Sequence, residues 1–381
     1  MSTTGAGREP GRGERVRRVR ARMAEVGVDA LLLSHGADLP WLTGYRAMPL
    51  ERLTLLVLPR EGEAVLLVPA LEAARVPEPD GDTAVTVRPW AETEDPVALA
   101  SALLAPARGA VYAISDRAWA HSLLGLQASL PGAQWRAASI VTAPLRAVKD
   151  AGEIAVLQAA AAAADRVAAV LQAGEIPLEG RRELQVSEAI GAGLLAAGHR
   201  RVNFVIVGSG PNAASPHHDA GERVVGAGDT VVCDFGGEYA LHDDVGYCSD
   251  ITRTVTVGEP GAEVRECYEV LFAAHQAAVS AVRPGVTAEH VDAAARSVIG
   301  AAGLGEYFIH RTGHGIGIEE HEDPYLVAGN DTPLAVGHAF SIEPGIYLPG
   351  RFGMRLEDIV VVGEDGAISL NTVDRSLVVL G

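Results

Sequence analysis

Before residue 143, the spacing of apolar residues alternates between helical and extended periods. Helical spacing predicts helices over residues 14–26, 95–104 and 116–130. Short apolar runs predict strands over residues 29–34, 53–58, 64–68, 111–115 and 134–141. Gly27 is expected to end the first helix, and Asp116 is a plausible N-cap for the third. This alternation is typical of a compact α/β unit.

The pattern changes near residues 143–149, after which a long alanine-rich helix is predicted. Asp150 and Glu153 form the D-x-x-E pattern of a capping box at its start. Further helices are predicted over residues 183–197, 263–282 and 287–302, and strands over residues 202–207, 230–239, 246–257, 339–347 and 355–362. We therefore predict a disordered leader at 1–13, one domain at 14–143, and a second at 144–381 with helices packed on a largely antiparallel sheet.

The composition of the chain excludes some classes of binding partner but does not indicate which reaction the protein catalyses. The 381-residue chain has a formal charge of −18, which argues against nucleic acid or an anionic membrane as a partner. No run is expected to reach the roughly eighteen apolar residues of a membrane helix. Cys233, Cys248 and Cys267 form no disulfide framework and fit a reducing compartment. Since the N-terminus also lacks the apolar core of a secretory signal, a cytoplasmic protein is expected.

Four acids and a histidine in the last third of the chain stand inside short motifs. They are Asp234 in C-D-F-G, Asp250 in S-D-I-T-R-T, His314 in G-H-G-I-G, Glu343 in I-E-P-G and Glu357 in R-L-E-D. Taken singly, each is more often a capped, salt-bridged or turn residue. Gathered together, four carboxylates would repel one another unless about two divalent cations balanced them. Oxygen ligands with one imidazole suit manganese, cobalt, zinc or iron, so the set predicts a two-metal hydrolase.

These motifs resemble those of the pita-bread metallopeptidases, in the branch of Xaa-Pro aminopeptidases and prolidases. The resemblance rests on V-V-C-D-F-G, Y-C-S-D-I-T-R-T, F-I-H-R-T-G-H-G-I-G, H-E-D-P, S-I-E-P-G-I-Y and M-R-L-E-D. The first part is similar to a creatinase-type N-terminal domain through D-A-L-L-L, W-L-T-G-Y and L-R-A-V-K-D-A-G-E-I. The resemblance implies an α+β fold: a C-terminal pita-bread (creatinase/aminopeptidase) domain with a smaller creatinase-like α/β N-terminal domain.

The resemblance also implies a role for each member of the set. Asp234 would chelate one metal, Asp250 and Glu357 would bridge both, and His314 and Glu343 would complete the second. A hydroxide shared by the two ions would attack the scissile carbonyl, and Glu343 would shuttle the proton. Manganese is the first expectation for the metal.

Two further histidines correspond to positions that contact the reaction intermediate and the imino-acid side of the substrate. They are His321, in H-E-D-P, and His217, in S-P-H. For His217 the alternative is a loop histidine without a role in the site, because His218 stands beside it and the loop is long. His310 is expected to pack rather than to bind a metal.

The chain departs from the family pattern at two places. The hairpin tip at 238–246 is long, and Glu238, His242, Asp243 and Asp244 could imitate a metal site, although a solvated turn is preferred. Dipeptide-restricted prolidases often carry a basic residue just beyond H-E-x-P, where this chain has Tyr325. Arg351, or an arginine from the first domain, could bind the substrate carboxylate instead.

The expected function is hydrolysis of the Xaa-Pro bond of dipeptides or short peptides by a homodimer. One alternative is a metal-dependent non-peptidase of the same fold, acting on a small C–N or C–S substrate as ectoine hydrolase and a sulfonium lyase do. Another is a non-catalytic binding module, which the complete ligand set disfavours.

Overall fold

A computed structural model describes residues 11–78, 85–104, 108–241 and 245–381. The chain divides into two compact units between Arg146 and Ala147. Residues 1–10 of the predicted leader lie outside the described residues, and the first helix already begins at Arg12.

The first unit is built on a six-stranded mixed sheet. Its helices are α1 (Arg12–Val26), α2 (Asp38–Thr43), α3 (Pro96–Leu103), α4 (Ala120–Ser129) and α5 (Ser139–Ala147). Its strands are β1 (Ala30–Leu33), β2 (Leu55–Pro59), β3 (Ala64–Pro69), β4 (Val85–Trp90), β5 (Val111–Ile114) and β6 (Gln134–Ala137). They lie in the order β4-β3-β2-β1-β5-β6, and the predicted hairpin is the antiparallel pair β2–β3.

Two predictions for this unit are wrong. Helix α4 begins at Ala120, and Asp116, the expected cap, instead accepts a hydrogen bond from the backbone N–H of Ser139 at 3.1 Å. The strand predicted over 134–141 ends at Ala137, and the following residues form α5. Short apolar runs do not distinguish a strand from a buried helix turn, and here Val141 and Ala147 are buried on α5.

The second unit contains four long helices and two five-stranded sheets among its described residues. The helices are α6 (Ala151–Gln172), α7 (Glu183–Ala196), α8 (Ala262–Ala281) and α9 (Ala288–Ala301). The first sheet contains β7 (Arg201–Ser209), β8 (Thr230–Tyr239), β9 (Tyr247–Cys248), β10 (Ile251–Val257) and β18 (Val378–Leu380). The second contains β11 (Gly313–Gly315), β12 (Glu322–Leu326), β13 (Ala339–Ile342), β16 (Asp358–Val362) and β17 (Ala367–Ser369).

Strand order brings the motif-bearing segments side by side. The first sheet runs β18-β10-β8-β7, with β9 paired to β8, and the second runs β12-β11-β13-β16-β17. A two-stranded ribbon of β14 (Gly345–Leu348) and β15 (Phe352–Arg355) stands apart from both. Every strand pair among the described residues of this unit is antiparallel except β10–β18, as the sequence predicted for most of the sheet.

Each sheet buries its apolar side chains against two of the helices. Apolar residues of α6 and α7 form one core with the first sheet, and those of α8 and α9 form another with the second sheet and the ribbon. The predicted capping box at the start of α6 is present: Glu153 N–H donates to Asp150 at 2.9 Å, and Asp150 N–H donates to Glu153 at 2.8 Å.

Helix α6 is, within the described ranges, the one helix long and apolar enough to cross a membrane by length and composition. The sequence prediction had missed this. Half of the qualifying window is buried inside the protein. Its buried Asp165 accepts hydrogen bonds from Asn371, Thr372 and Val373. A core helix passes the same test, and these contacts are those of a core helix.

Three of the predicted ligands lie at breaks between strands rather than within them. Asp250 lies between β9 and β10, Glu343 between β13 and β14, and Glu357 between β15 and β16. The strands expected to run through 246–257, 339–347 and 355–362 are therefore each two strands. Pro344 has no N–H to donate, so a ladder cannot continue directly past Glu343.

Acid is expected to destabilise this unit through buried histidines. Burial lowers the pKa of His275 and of His338 to about 4. A histidine of the unfolded chain has a pKa of about 6.5, so between pH 6.5 and pH 4 it binds a proton that the buried histidine does not. The folded state therefore has its full stability above pH 6.5 and loses stability as the pH falls towards 4. Each histidine should contribute a loss of about 2 kcal/mol between pH 7.5 and pH 5.

The measurement is urea unfolding at these two pH values in excess chelator, which removes any contribution from metal binding. His338→Gln should reduce the difference between the two free energies of unfolding by about 2 kcal/mol, and the exposed His290→Gln is the matched control. An unchanged difference in His338→Gln would mean that His338 does not titrate with folding.

Candidate metal centre

All seven sequence-predicted site residues line one cavity of about 470 Å³ in the second unit. They are His217, Asp234, Asp250, His314, His321, Glu343 and Glu357. Phe204, Ile206, Pro216, His310, Arg311, Glu320 and Arg355 complete the lining. The structure thus brings the predicted set together, whereas the assigned role of each residue stays a prediction.

Asp250, His314 and Glu357 form the centre of the cluster. Each offers one ligand atom, and these atoms all lie within 4.8 Å of one another. His314 Nε2 lies 3.7 Å from Asp250 Oδ2 and 3.3 Å from Glu343 Oε1. Burial lowers the pKa of His314 to about 3, so the ring is neutral at pH 7 and a nitrogen lone pair is available to a metal.

Carboxylate oxygens without partners are the strongest indication that this site binds cations. Asp234 Oδ1, Asp250 Oδ1 and Glu357 Oε1 are buried and accept no hydrogen bond from the described residues. Burial, followed by repulsion from neighbouring carboxylates, raises the pKa of Asp250 and of Glu357 well above the ordinary range. Buried oxygens of this kind are costly unless a cation or proton satisfies them. The donor set therefore fits divalent metal ions.

The backbone and neighbouring hydroxyls hold these carboxylates in place. Glu357 Oε2 accepts a hydrogen bond from Thr252 Oγ1 at 2.7 Å, and Glu343 Oε1 accepts one from Ser341 Oγ at 3.2 Å. Thr252 lies opposite Asp234 in the β8–β10 ladder. Strand register therefore positions Asp234 and the hydroxyl that binds Glu357, while Asp250, Glu343 and Glu357 themselves lie directly beside strand ends.

Sequence reasoning did not single out Arg355, which lies buried among the acids. Its guanidinium donates to Asp234 Oδ2, to Thr252 Oγ1 at 3.0 Å, to the Tyr347 hydroxyl at 2.8 Å and to the Pro216 carbonyl at 3.2 Å. Arg355 thereby joins a predicted ligand to the segment before His217. The signal was present in R-L-E-D, because residues two apart along an extended strand share a face.

The structure separates the two adjacent histidines of the S-P-H-H segment. His217 lines the cavity. His218 Nε2 lies 2.8 Å from Glu183 Oε2, and Glu183 is fully buried. The same carboxylate accepts hydrogen bonds from Ser209 and Asn212, so it fixes the segment that carries His217. This distant anchor at the start of α7 could not be read from the spacing.

His321 lies beside His314, and a buried ion pair fixes the next residue. The two imidazole centroids are 4.0 Å apart. Glu322, directly after His321, pairs with Lys149, whose side chain is 1% exposed. His310, expected to pack, contacts Tyr347 through its Nε2, 2.9 Å from the hydroxyl.

The structure describes part of the two regions in which this chain departs from the family pattern, the hairpin tip at 238–246 and the candidates for binding the substrate carboxylate. Residues 242–244 of the hairpin tip, which include His242, Asp243 and Asp244, lie outside the described residues. Glu238, expected in a solvated turn, is instead buried on β8, 3.3 Å from Arg201, and does not line the cavity. Arg351 does not line the cavity; it is about half exposed and pairs with Glu263.

Comparison with known protein families identifies the family domain that each unit matches. Residues 154–364 match metallopeptidase family M24, and residues 15–148 match the creatinase/prolidase N-terminal domain. The chain belongs to metallopeptidase family M24. The resemblance found in the motifs, and the pita-bread fold expected from it, are thereby confirmed.

Relatives of this M24 chain match it over nearly its whole length. The probable dipeptidase PepE of Mycobacterium tuberculosis is 47% identical over 361 residues, 94% of each chain. The Xaa-Pro dipeptidase of Lactobacillus helveticus is 36% identical over 366 residues, 92% of this chain and 95% of that one. The crystal structure of dipeptidase PepE from Mycobacterium ulcerans has a TM-score of 0.90 at 47% identity, covering 97% of this chain and 98% of that chain.

Proposed function

We propose that this M24 chain hydrolyses the Xaa-Pro bond of dipeptides or short peptides with two divalent metal ions. One observation carries the proposal: partnerless carboxylate oxygens and a neutral imidazole converge in one cavity. The relatives named dipeptidase and Xaa-Pro dipeptidase support the choice of substrate. Manganese is the proposed metal, with cobalt, zinc or iron as alternatives.

Five residues would hold the ions: Asp234, Asp250, His314, Glu343 and Glu357. When bound, divalent ions lower the pKa of a coordinated water towards neutrality and polarise a carbonyl oxygen. Arg355 donates to one oxygen of Asp234, and the other oxygen has no hydrogen-bond partner among the described residues. The partnerless oxygens of Asp234, Asp250 and Glu357 thus belong to three residues that line one cavity.

Glu343 is the proposed proton carrier. Burial is the main cause that raises its pKa to about 7, and Arg355 opposes the shift. Bound cations would lower this pKa, so the role rests on position: Glu343 lines the same cavity as the other proposed ligands, where a carboxylate can accept and return a proton. In this role Glu343 takes the proton of the attacking water and passes it to the leaving nitrogen.

The two cavity-lining histidines are placed to hold the substrate. His321 would donate a hydrogen bond to the developing oxyanion, and His217 would contact the imino-acid side. Phe204, Ile206 and Pro216 give the same cavity an apolar wall, which can accommodate a proline ring. We further propose a cytoplasmic homodimer that takes a small peptide and binds neither nucleic acid nor a membrane.

The test is turnover of Xaa-Pro dipeptides and tripeptides by chelator-treated protein with manganese, cobalt, zinc or iron added back. We expect cleavage only before proline and only with metal. Ala-Ala is the control peptide, because it lacks the imino acid. Absence of proline-directed turnover with every metal would contradict the proposal and favour a non-peptidase, and failure to bind any divalent ion would favour a binding module.

A further inference from the structure

One cation that lines the cavity, Arg311, takes no part in holding the proposed metal ligands. Arg311 lines the cavity and is half-buried, and no carboxylate of the described residues accepts a hydrogen bond from its guanidinium. Other arginines of this unit do have such partners: Arg355 binds Asp234, Arg253 binds Asp358 and Arg296 binds Asp292. A partly desolvated guanidinium to which no carboxylate is hydrogen-bonded is costly unless a ligand supplies an acceptor.

An aromatic ring holds the guanidinium without using its hydrogen-bond donors. The Arg311 guanidinium carbon lies 4.4 Å from the centroid of the Tyr325 ring. Stacking of this kind occupies the face of the guanidinium and leaves the N–H groups at its edge available. A planar fork of donors at that edge matches a carboxylate.

The backbone around Arg311 is fixed on both sides. The His310 carbonyl accepts a hydrogen bond from Arg296 at 2.8 Å, and the Thr312 N–H donates to Asp292 at 3.1 Å. Glu343 N–H donates to the Thr312 carbonyl at 2.8 Å, which joins this segment directly to the proposed proton carrier. Arg311 therefore starts from a rigid position beside the reacting groups.

The charge of Arg311 acts on the reacting groups themselves. Burial is the main cause of the lowered pKa of His314 and of His321, and the positive charge of Arg311 lowers both further. It also partly opposes the burial that raises the pKa of Glu343. Because Arg311 lines the same cavity as His314 and Glu343, a ligand held by Arg311 would lie next to the proposed metal centre.

We propose that Arg311 is the specificity-determining residue that binds a carboxylate of the peptide substrate. This inference rests on the proposed function. Two carboxylates of a peptide could supply the ligand: the terminal α-carboxylate of the imino acid, or an acidic side chain before the scissile bond. Arg351, the arginine first considered for this task, is bound to Glu263 outside the cavity.

The experiment compares four peptides with the metal-loaded protein: Ala-Pro, Ala-Pro amide, Glu-Pro and Gln-Pro. If the terminal carboxylate is the ligand, Arg311→Gln should lower kcat/KM for Ala-Pro roughly 10- to 100-fold and leave Ala-Pro amide unchanged. If an acidic side chain is the ligand, the same loss should appear for Glu-Pro and not for Gln-Pro.

Two further variants separate the effect of the charge of Arg311 from that of its planar donor group, and from a general effect of removing an arginine. Arg311→Lys keeps the charge without the fork and should restore part of the loss. Arg351→Gln, an exposed arginine elsewhere on the unit, is the matched control. Metal content of each variant is measured, because a carboxylate-binding residue should leave it unchanged.

Equal ratios for both peptide pairs in wild type and Arg311→Gln, with metal content unchanged, would overturn the proposal. If the wild type cleaves none of the peptides, the proposed function fails, and calorimetric binding of the same four peptides tests Arg311 separately. Wild type should then bind one charged peptide roughly 10- to 100-fold more tightly than Arg311→Gln does, and equal binding would sink the inference.

Discussion

Asp250→Ala is expected to abolish turnover and metal binding together. Asp250 has a buried oxygen without a partner, and its ligand atom lies within 4.8 Å of those of His314 and Glu357. A carboxylate shared by two ions contributes to both, so its removal should lower turnover by about three orders of magnitude or more. Peptidase assays with added manganese and elemental analysis of the dialysed protein measure the two effects.

Asp331→Ala is the matched control for this substitution, because it removes an exposed aspartate of the same unit. It should retain wild-type turnover and metal content. Near-normal activity in Asp250→Ala, or two ions still bound, would contradict the assignment of Asp250 as a shared ligand.

His321→Ala is expected to lower turnover roughly 10²- to 10⁴-fold while the metal content stays at the wild-type level. His321 lines the cavity and its ring lies tilted beside that of His314, but His321 is not part of the three-residue cluster at the centre. A group that donates to the oxyanion acts on the transition state, so kcat should fall more than KM rises.

The exposed His290→Ala, on α9, controls for the loss of a surface histidine. Parallel loss of metal and turnover in His321→Ala would reclassify His321 as a ligand. Unchanged kcat would show that it takes no part in the reaction.

Much of the fold, and the residues that line the site, could be predicted because short stretches of consecutive residues indicate them. The capping box at Asp150, the hairpin of β2 and β3 and the paired strands that flank Asp234 are each written in consecutive residues. The motif acids and histidines could be listed for the same reason, because each stands inside a short frame.

Other features depend on contacts between distant positions and leave little local trace. Glu183 holds His218 across 35 positions, and Arg355 reaches back 121 positions to Asp234. The sequence did not predict the strand breaks at Asp250 and Glu357. The periodicity of apolar residues indicates which side of a strand is buried, but it does not show where the hydrogen-bonded pairing of that strand ends. Asp116 resembled a helix cap, yet the tertiary structure uses it to bind Ser139.

Lys149 is the only lysine of the chain, and the structure buries it against Glu322 immediately beyond the division between the two units. A protease that cuts only after lysine therefore has a single target bond, Lys149–Asp150, and every cut yields residues 1–149 and 150–381. Because the side chain it must grip is shielded in the folded protein, the rate of that one cleavage reports how often this segment opens. The chain thus carries a built-in proteolytic probe of opening beside its proposed catalytic histidine.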